Sequence, residues 1–140
     1  MRSPRITKRI VSVVDDEQDI MHLFGEALRK LPGLSVFTFT DPFIAYEHFK
    51  INNSTYALVI SDMRMPGLDG FELLKKMKDL NPKVRTMLMT AFDTKDSLFE
   101  EFTKKQIING FVQKPVKLDT LLQEASEQLH SFEFQKIYAL

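Results

Sequence analysis

Three carboxylates, a hydroxyl and an amine stand out in the chain because each closes a short apolar run. Asp15 and Asp16 follow residues 10–14, Asp62 follows 56–60 and Ser61, Thr90 follows 84–89, and Lys114 follows 111–113. Two carboxylates about 4 Å apart repel by roughly 4 kcal/mol at an effective dielectric near 20, so three acids gathered together call for a cation. An all-oxygen ligand set without His or Cys suits a hard ion, and few carboxylates with room for several waters suit Mg²⁺ better than Ca²⁺. A cation beside a lysine and a threonine is equipment for receiving a phosphoryl group, because positive charge steadies its equatorial oxygens. Carboxylates are covalent phosphoryl acceptors and the acyl phosphate they form is temporary, which is the chemistry of a switch. In isolation each residue has a plainer role: Asp15 and Asp16 as helix-dipole partners, Asp62 as a turn acid, Thr90 as a strand residue, Lys114 as a solvated charge. The joint reading requires the strand ends to meet.

The pattern along the chain supplies that meeting. Short apolar runs alternate with helical periodicity, which is how a parallel sheet covered by helices reads in sequence. Strands are expected at 10–14, 35–39, 56–60, 84–89 and 111–113. Ile20, Phe24, Ala27, Leu28 and Leu31 mark the first helix, stopped by Pro32 and Gly33. Asp41 and Pro42 open a helix running through Phe49, and Asp69 caps another whose Glu72 reaches back and whose Leu73, Leu74, Met77 and Leu80 are buried. A less regular helix is expected at 94–105, and Leu118, Leu121, Leu122, Ala125 and Leu129 mark the last. The fold class is α/β: a doubly wound, five-stranded parallel sheet of flavodoxin-like order 2-1-3-4-5 with helices on both faces. Sheets of this kind bind ligands outside the carboxyl ends of the strands, at the switch point between the first and third.

With 140 residues, one core is enough to fold the chain. Nineteen basic residues balance nineteen acidic ones, so no net field draws the molecule to nucleic acid or an anionic membrane. No cysteine is present, which removes disulfides, thiolate ligands and thiol catalysis. Apolar runs are strand-length, and the basic start lacks the apolar stretch of a secretion signal, so a cytoplasmic location is expected. Expected boundaries are a basic extension at 1–8, the folded domain at 9–130, and a helical extension or tail at 131–140. Phe132, Phe134 and Tyr138 could extend the last helix. His22, His48 and His130 read as exposed structural residues without ligand spacing.

Val13-Val14-Asp15-Asp16-Glu17, the run from Val59 to Gly70 that holds Ser61-Asp62-Met63-Arg64-Met65-Pro66-Gly67, Met89-Thr90-Ala91, and Gly110-Phe111-Val112-Gln113-Lys114-Pro115 together resemble the receiver domain of two-component response regulators, of the single-domain type. The resemblance covers about residues 9–130. It implies Asp62 as phosphoryl acceptor, Mg²⁺ bound directly by Asp16 and Asp62, Asp15 acting largely through the ion's waters, and the backbone carbonyl of Arg64 completing the ligands. Lys114 would pair with phosphoryl oxygens, Thr90 would donate its hydroxyl to one, and the bond preceding Pro115 would be cis. Output would couple Thr90 to Phe111, which lacks the tyrosine hydroxyl often present there. Arg64 and Phe92 occupy the positions that set the lifetime of the phosphorylated state. A sensor histidine kinase or phosphotransfer protein would act upstream and an unidentified protein target downstream, with homodimer formation as a further outcome and no direct contact with nucleic acid or membrane. Such a protein catalyses its own phosphorylation and dephosphorylation and is not a conventional enzyme.

Gln106, Ile107 and Ile108 depart from the family, which usually places small residues, commonly a glycine, at the end of the helix preceding the fifth strand. A haloacid dehalogenase type phosphatase would need two aspartates one residue apart, which Asp62-Met63-Arg64 does not offer. An FMN carrier would need a hydroxyl- and glycine-rich loop where Asp15-Asp16-Glu17 stands. A degenerate receiver used as a constitutive protein-binding module would usually have lost the acceptor or the lysine. No output domain follows the last helix, so a stand-alone regulator or a receiver from a longer protein is expected.

Overall fold

The computed structural model describes residues 8–91, 100–101 and 105–137. Five strands form one sheet: β1 (Arg9–Val14), β2 (Leu34–Phe39), β3 (Tyr56–Asp62), β4 (Arg85–Thr90) and β5 (Gly110–Gln113). All neighbours are parallel and the order is β2-β1-β3-β4-β5. The doubly wound α/β fold read from the alternating pattern is therefore the observed one. Four helices are described: α1 (Gln18–Arg29), α2 (Pro42–Asn52), α3 (Gly70–Leu80) and α4 (Leu118–Ile137).

Successive strand residues point to opposite faces, so the β-branched runs feed two cores. On one face Val11, Val13, Leu58, Ile60, Met87 and Met89 pack with Phe24 and Leu28 of α1 and Leu121 and Ala125 of α4. On the other, Val14, Val59 and Leu88 pack with Phe49 of α2 and Leu73, Leu74 and Met77 of α3. Full burial of each large apolar side chain contributes about 1.5–3 kcal/mol, and this term fixes the strand register that places the polar ends.

The helix starts follow local chemistry. The Asp41 carboxylate accepts the Phe43 N–H at 2.8 Å, with Pro42 in the first turn. Asp69 accepts the Glu72 N–H at 2.8 Å, capping α3; Leu73, Leu74 and Met77 are buried as expected, but Leu80, in the last turn where the helix leaves the sheet, is exposed. Helix α2 runs beyond Phe49 to Asn52, and α4 continues into the segment read as a helical extension or tail, to Ile137, with Phe132 buried. Arg9 accounts for that continuation: its Nε donates to Glu133 at 3.2 Å and its guanidinium lies 5.4 Å from the Phe132 ring.

His22 and His130 are exposed, but His48 is half-buried. Its ring lies 4.5 Å from Phe37 and 5.2 Å from Phe39, and Nδ1 hydrogen-bonds the Tyr56 hydroxyl at 2.7 Å. Gln106 has φ 57°, the left-handed conformation glycine adopts readily, so a residue with a Cβ carries that turn here at about 1–2 kcal/mol. Ile108 behind it is buried. Phe92, Tyr138 and most of the helix expected at 94–105 lie outside the described residues; Glu100 and Glu101 within it are helical.

Candidate functional site at the carboxyl ends of the strands

Register explains how the polar residues meet. Val14 lies opposite Ser61, so Asp15 and Asp62 leave adjacent strands side by side. Asp62 is level with Met89, and Thr90 with Gln113, so Thr90 and Lys114 follow one step beyond on the next two strands. Backbone bonds fix the loops: Asp15 N–H donates to Phe39 O at 3.1 Å, Met63 N–H to Met89 O at 2.9 Å, and Lys114 N–H to Thr90 O at 2.7 Å. The Lys114–Pro115 peptide bond is cis.

The side chains converge as this register requires. Carboxylate oxygens of Asp15, Asp16 and Asp62 lie within 4.8 Å of one another. Lys114 Nζ sits 2.7 Å from Asp62 Oδ1. Asp15, Asp62 and Thr90 are buried, Asp16 is exposed, and Lys114 is partly covered. Arg64 is exposed on the loop after Asp62, and Phe111 is half-buried on β5 against the α2/α3 core. The structure thus brings together Asp15, Asp16, Asp62 and Lys114, with Thr90 at the end of the intervening strand.

The electrostatics carry unrelieved negative charge. Burial pushes the Asp15 carboxyl up to about 6; the Glu17 N–H, donating to Oδ1 at 3.0 Å, and Lys114 oppose this, while Asp62 and Asp16 add to it. Burial alone would lower Lys114, but the hydrogen bond and charge of Asp62, helped by Asp15 and Glu17, hold its ammonium above the usual range. Asp15 Oδ2 is buried without a hydrogen-bond partner among the described residues. An orphaned buried carboxylate oxygen beside two further carboxylates is a hard-cation donor set, and these residues fit Mg²⁺.

Two residues quoted in the motif carry roles the sequence did not suggest. A Cβ at Gly70 would collide with the Asp62 carbonyl and approach the Ser61 hydroxyl at 2.9 Å, so only glycine lets the start of α3 close on the acid loop. Gly70 N–H donates to Met63 O at 2.8 Å, and Ser61 Oγ donates to Asp62 O at 2.9 Å. Glycine in a residue run that turns from strand into helix was the available signal. Beside the site, a cleft runs from Asp15 and Lys114 along Ile20, Leu23, Phe24 and Val116, pairing the acid cluster with an apolar wall.

Residues 11–126 match the model of the response regulator receiver domain, and the chain belongs to that family. Sporulation initiation phosphotransferase F of Bacillus subtilis is 30% identical over 111 residues, 79% of this chain and 86% of that protein. The transcriptional regulatory protein ZraR of Klebsiella oxytoca is 32% identical over 120 residues, 85% of this chain and 26% of ZraR. The chain thus spans about a quarter of the length of such transcriptional regulators. The crystal structure of a CheY-like response regulator receiver domain protein from Methanospirillum hungatei JF-1 superposes with a TM-score of 0.78 at 23% identity, covering 92% of this chain and 99% of that one. Among the described residues no helix is long and apolar enough to cross a membrane.

Proposed function

We propose that this receiver domain is a phosphorylation switch in which Asp62 accepts a phosphoryl group from a phosphohistidine of a sensor kinase or phosphotransfer protein, or from a small phosphodonor. The observation that carries the reading is the 2.7 Å contact of Lys114 Nζ with Asp62 inside a three-carboxylate cluster. A carboxylate oxygen of Asp62 attacks phosphorus and an acyl phosphate results as the bond to the donor breaks, P–N in phosphohistidine with imidazole leaving, or P–O in acetyl phosphate with acetate leaving. Bound by Asp15, Asp16, Asp62 and the Arg64 carbonyl, Mg²⁺ would neutralise charge on the phosphoryl oxygens. Lys114 is placed to exchange its carboxylate partner for one of those oxygens, and the Thr90 hydroxyl to donate to another. The apolar wall of Ile20, Leu23 and Phe24 offers a protein donor a ledge next to the acceptor.

Movement of Thr90 toward the phosphoryl group would draw Phe111 inward and alter the face presented to a downstream protein or to a second copy of the chain. The domain is read as cytoplasmic, spanning residues 9–130 between a basic extension at 1–8 and the 131–140 segment. Arg64 and Phe92 are assigned to the lifetime of the acyl phosphate, Phe92 by shielding it from water. Phe92→Ser then speeds dephosphorylation, and an unchanged decay rate removes that role.

The test is intact mass after incubation with Mg²⁺ and acetyl phosphate. One phosphoryl mass is gained by the parent protein, lost on chelation, and never gained by Asp62→Asn. No gain by either protein would leave a constitutive protein-binding module.

A further inference from the structure

A second polar cavity lies at the opposite end of the sheet, where the strands begin. It measures about 330 Å³ and is bordered by Arg9 of β1, Asn53 and Asn81 of two turns, Lys83 ahead of β4, and Phe132 and Lys136 of α4. Three cations face it. Glu133 is the one carboxylate paired with any of them, through Arg9 Nε at 3.2 Å; among the described residues no carboxylate lies within 4 Å of Lys83 or Lys136. The terminal guanidinium nitrogens of Arg9 engage no acceptor among the described residues. Two more cations, Lys78 and Arg85, have no carboxylate within 4 Å among the described residues; Lys78 Nζ lies 3.5 Å from Pro82 O, next to Lys83. Among the described residues Arg85 bonds only neutral amides, Gln128 Oε1 at 2.8 Å and Gln135 Oε1 at 3.3 Å, and Gln135 itself lines the cavity. Burial, and to a lesser degree the nearby Arg85 charge, pushes the Lys78 amine down to about 8. In a chain whose formal charge is zero, this end is locally basic.

The geometry points to a second ligand site, distinct from the acid cluster, that binds a small phosphate monoester: the phosphate among Arg9, Lys83 and Lys136, and an apolar body against Leu80, which is exposed there. Charge sets the ligand's sign; the amide nitrogens of Asn53, Asn81 and Gln135 each donate to a backbone carbonyl, of Lys50, Asn53 and Lys83, and an amide nitrogen carries a second hydrogen for a phosphate oxygen. The concavity favours a compact molecule over an extended surface, and its volume falls at the small end of ordinary ligand pockets. The site does not depend on phosphorylation of Asp62.

The test is amide NMR of the full chain without divalent metal, titrated with inorganic phosphate, phenyl phosphate and phenol. Phenyl phosphate at millimolar concentration is expected to shift the amides of Asn53, Lys83, Gln135 and Lys136 saturably. Inorganic phosphate should shift the same set more weakly, phenol hardly at all, and added salt should weaken both anions. The double variant Lys83→Gln with Lys136→Gln, two exposed side chains, should keep the parent spectrum elsewhere and lose affinity about tenfold or more. Absent or non-saturating shifts, shifts centred on the Asp62 loop, affinity indifferent to salt, or equal binding by the double variant would each overturn the assignment.

Discussion

At the carboxyl ends of the strands Asp15, Asp16 and Asp62 crowd within 4.8 Å, two of them buried, held by backbone bonds and one lysine. At the amino ends Arg9, Lys83 and Lys136 surround a cavity on long side chains that reach water. Both ends concentrate one sign of charge that the neutral total conceals, yet they do so at different cost. The acids are fixed in place by strand register, so their repulsion is built into the folded state. The cations can spread apart on flexible stems, and their repulsion is largely relieved by solvent. Rigid like charge marks a place where the fold gives up stability for a ligand, and mobile like charge marks one where little is given up.

That contrast breaks first at Gly70. Gly70→Ala drives a methyl group into the Asp62 carbonyl and is expected to destabilise the fold by about 3 kcal/mol, read as a lower urea midpoint; an unchanged midpoint would mean that the acid loop is not rigidly held. Asp15→Asn should act in the opposite direction. The folded-state pKa of Asp15 is raised from 3.8 to about 6, so its penalty is absent below about pH 4, grows through the window up to about 6, and is complete above it. In metal-free buffer at pH 7 the variant is therefore more stable by about 3 kcal/mol, and the advantage disappears at pH 4. A variant no more stable at pH 7 would mean that the cluster stores no strain. The smallest effect belongs to the other end: Lys83→Gln with Lys136→Gln should shift the urea midpoint by less than about 0.5 kcal/mol of stability, and a larger loss would place those lysines in the rigid class.

Most of the architecture was legible because β-branched runs and turn residues act locally. The strands at 10–14, 35–39 and 56–60 sit within residues of the observed β1, β2 and β3, and Asp41-Pro42 and Asp69 start helices as their capping chemistry dictates. The gathering of Asp15, Asp16, Asp62 and Lys114 was legible because each closes a strand of one parallel sheet, so topology alone brings them together. What sequence patterns did not reveal depends on contacts between distant elements. The last turns of α4 are tied to the first strand by Arg9, which reaches Glu133 and Phe132. His48 sits on a helix whose apolar residues face both the core and water, so periodicity could not tell that Phe37, Phe39 and Tyr56 half-cover it. The amino-end cavity draws on four separate segments, none of them a motif.

The central claim is that Asp62, and no other carboxylate of the cluster, carries the phosphoryl group. The direct measurement is to phosphorylate the protein with acetyl phosphate and Mg²⁺, reduce the acyl phosphate with borohydride, and locate the modified residue by peptide mass spectrometry. The account predicts homoserine at position 62 and unmodified aspartate at 15 and 16; homoserine at either of those positions, with position 62 intact, would contradict it.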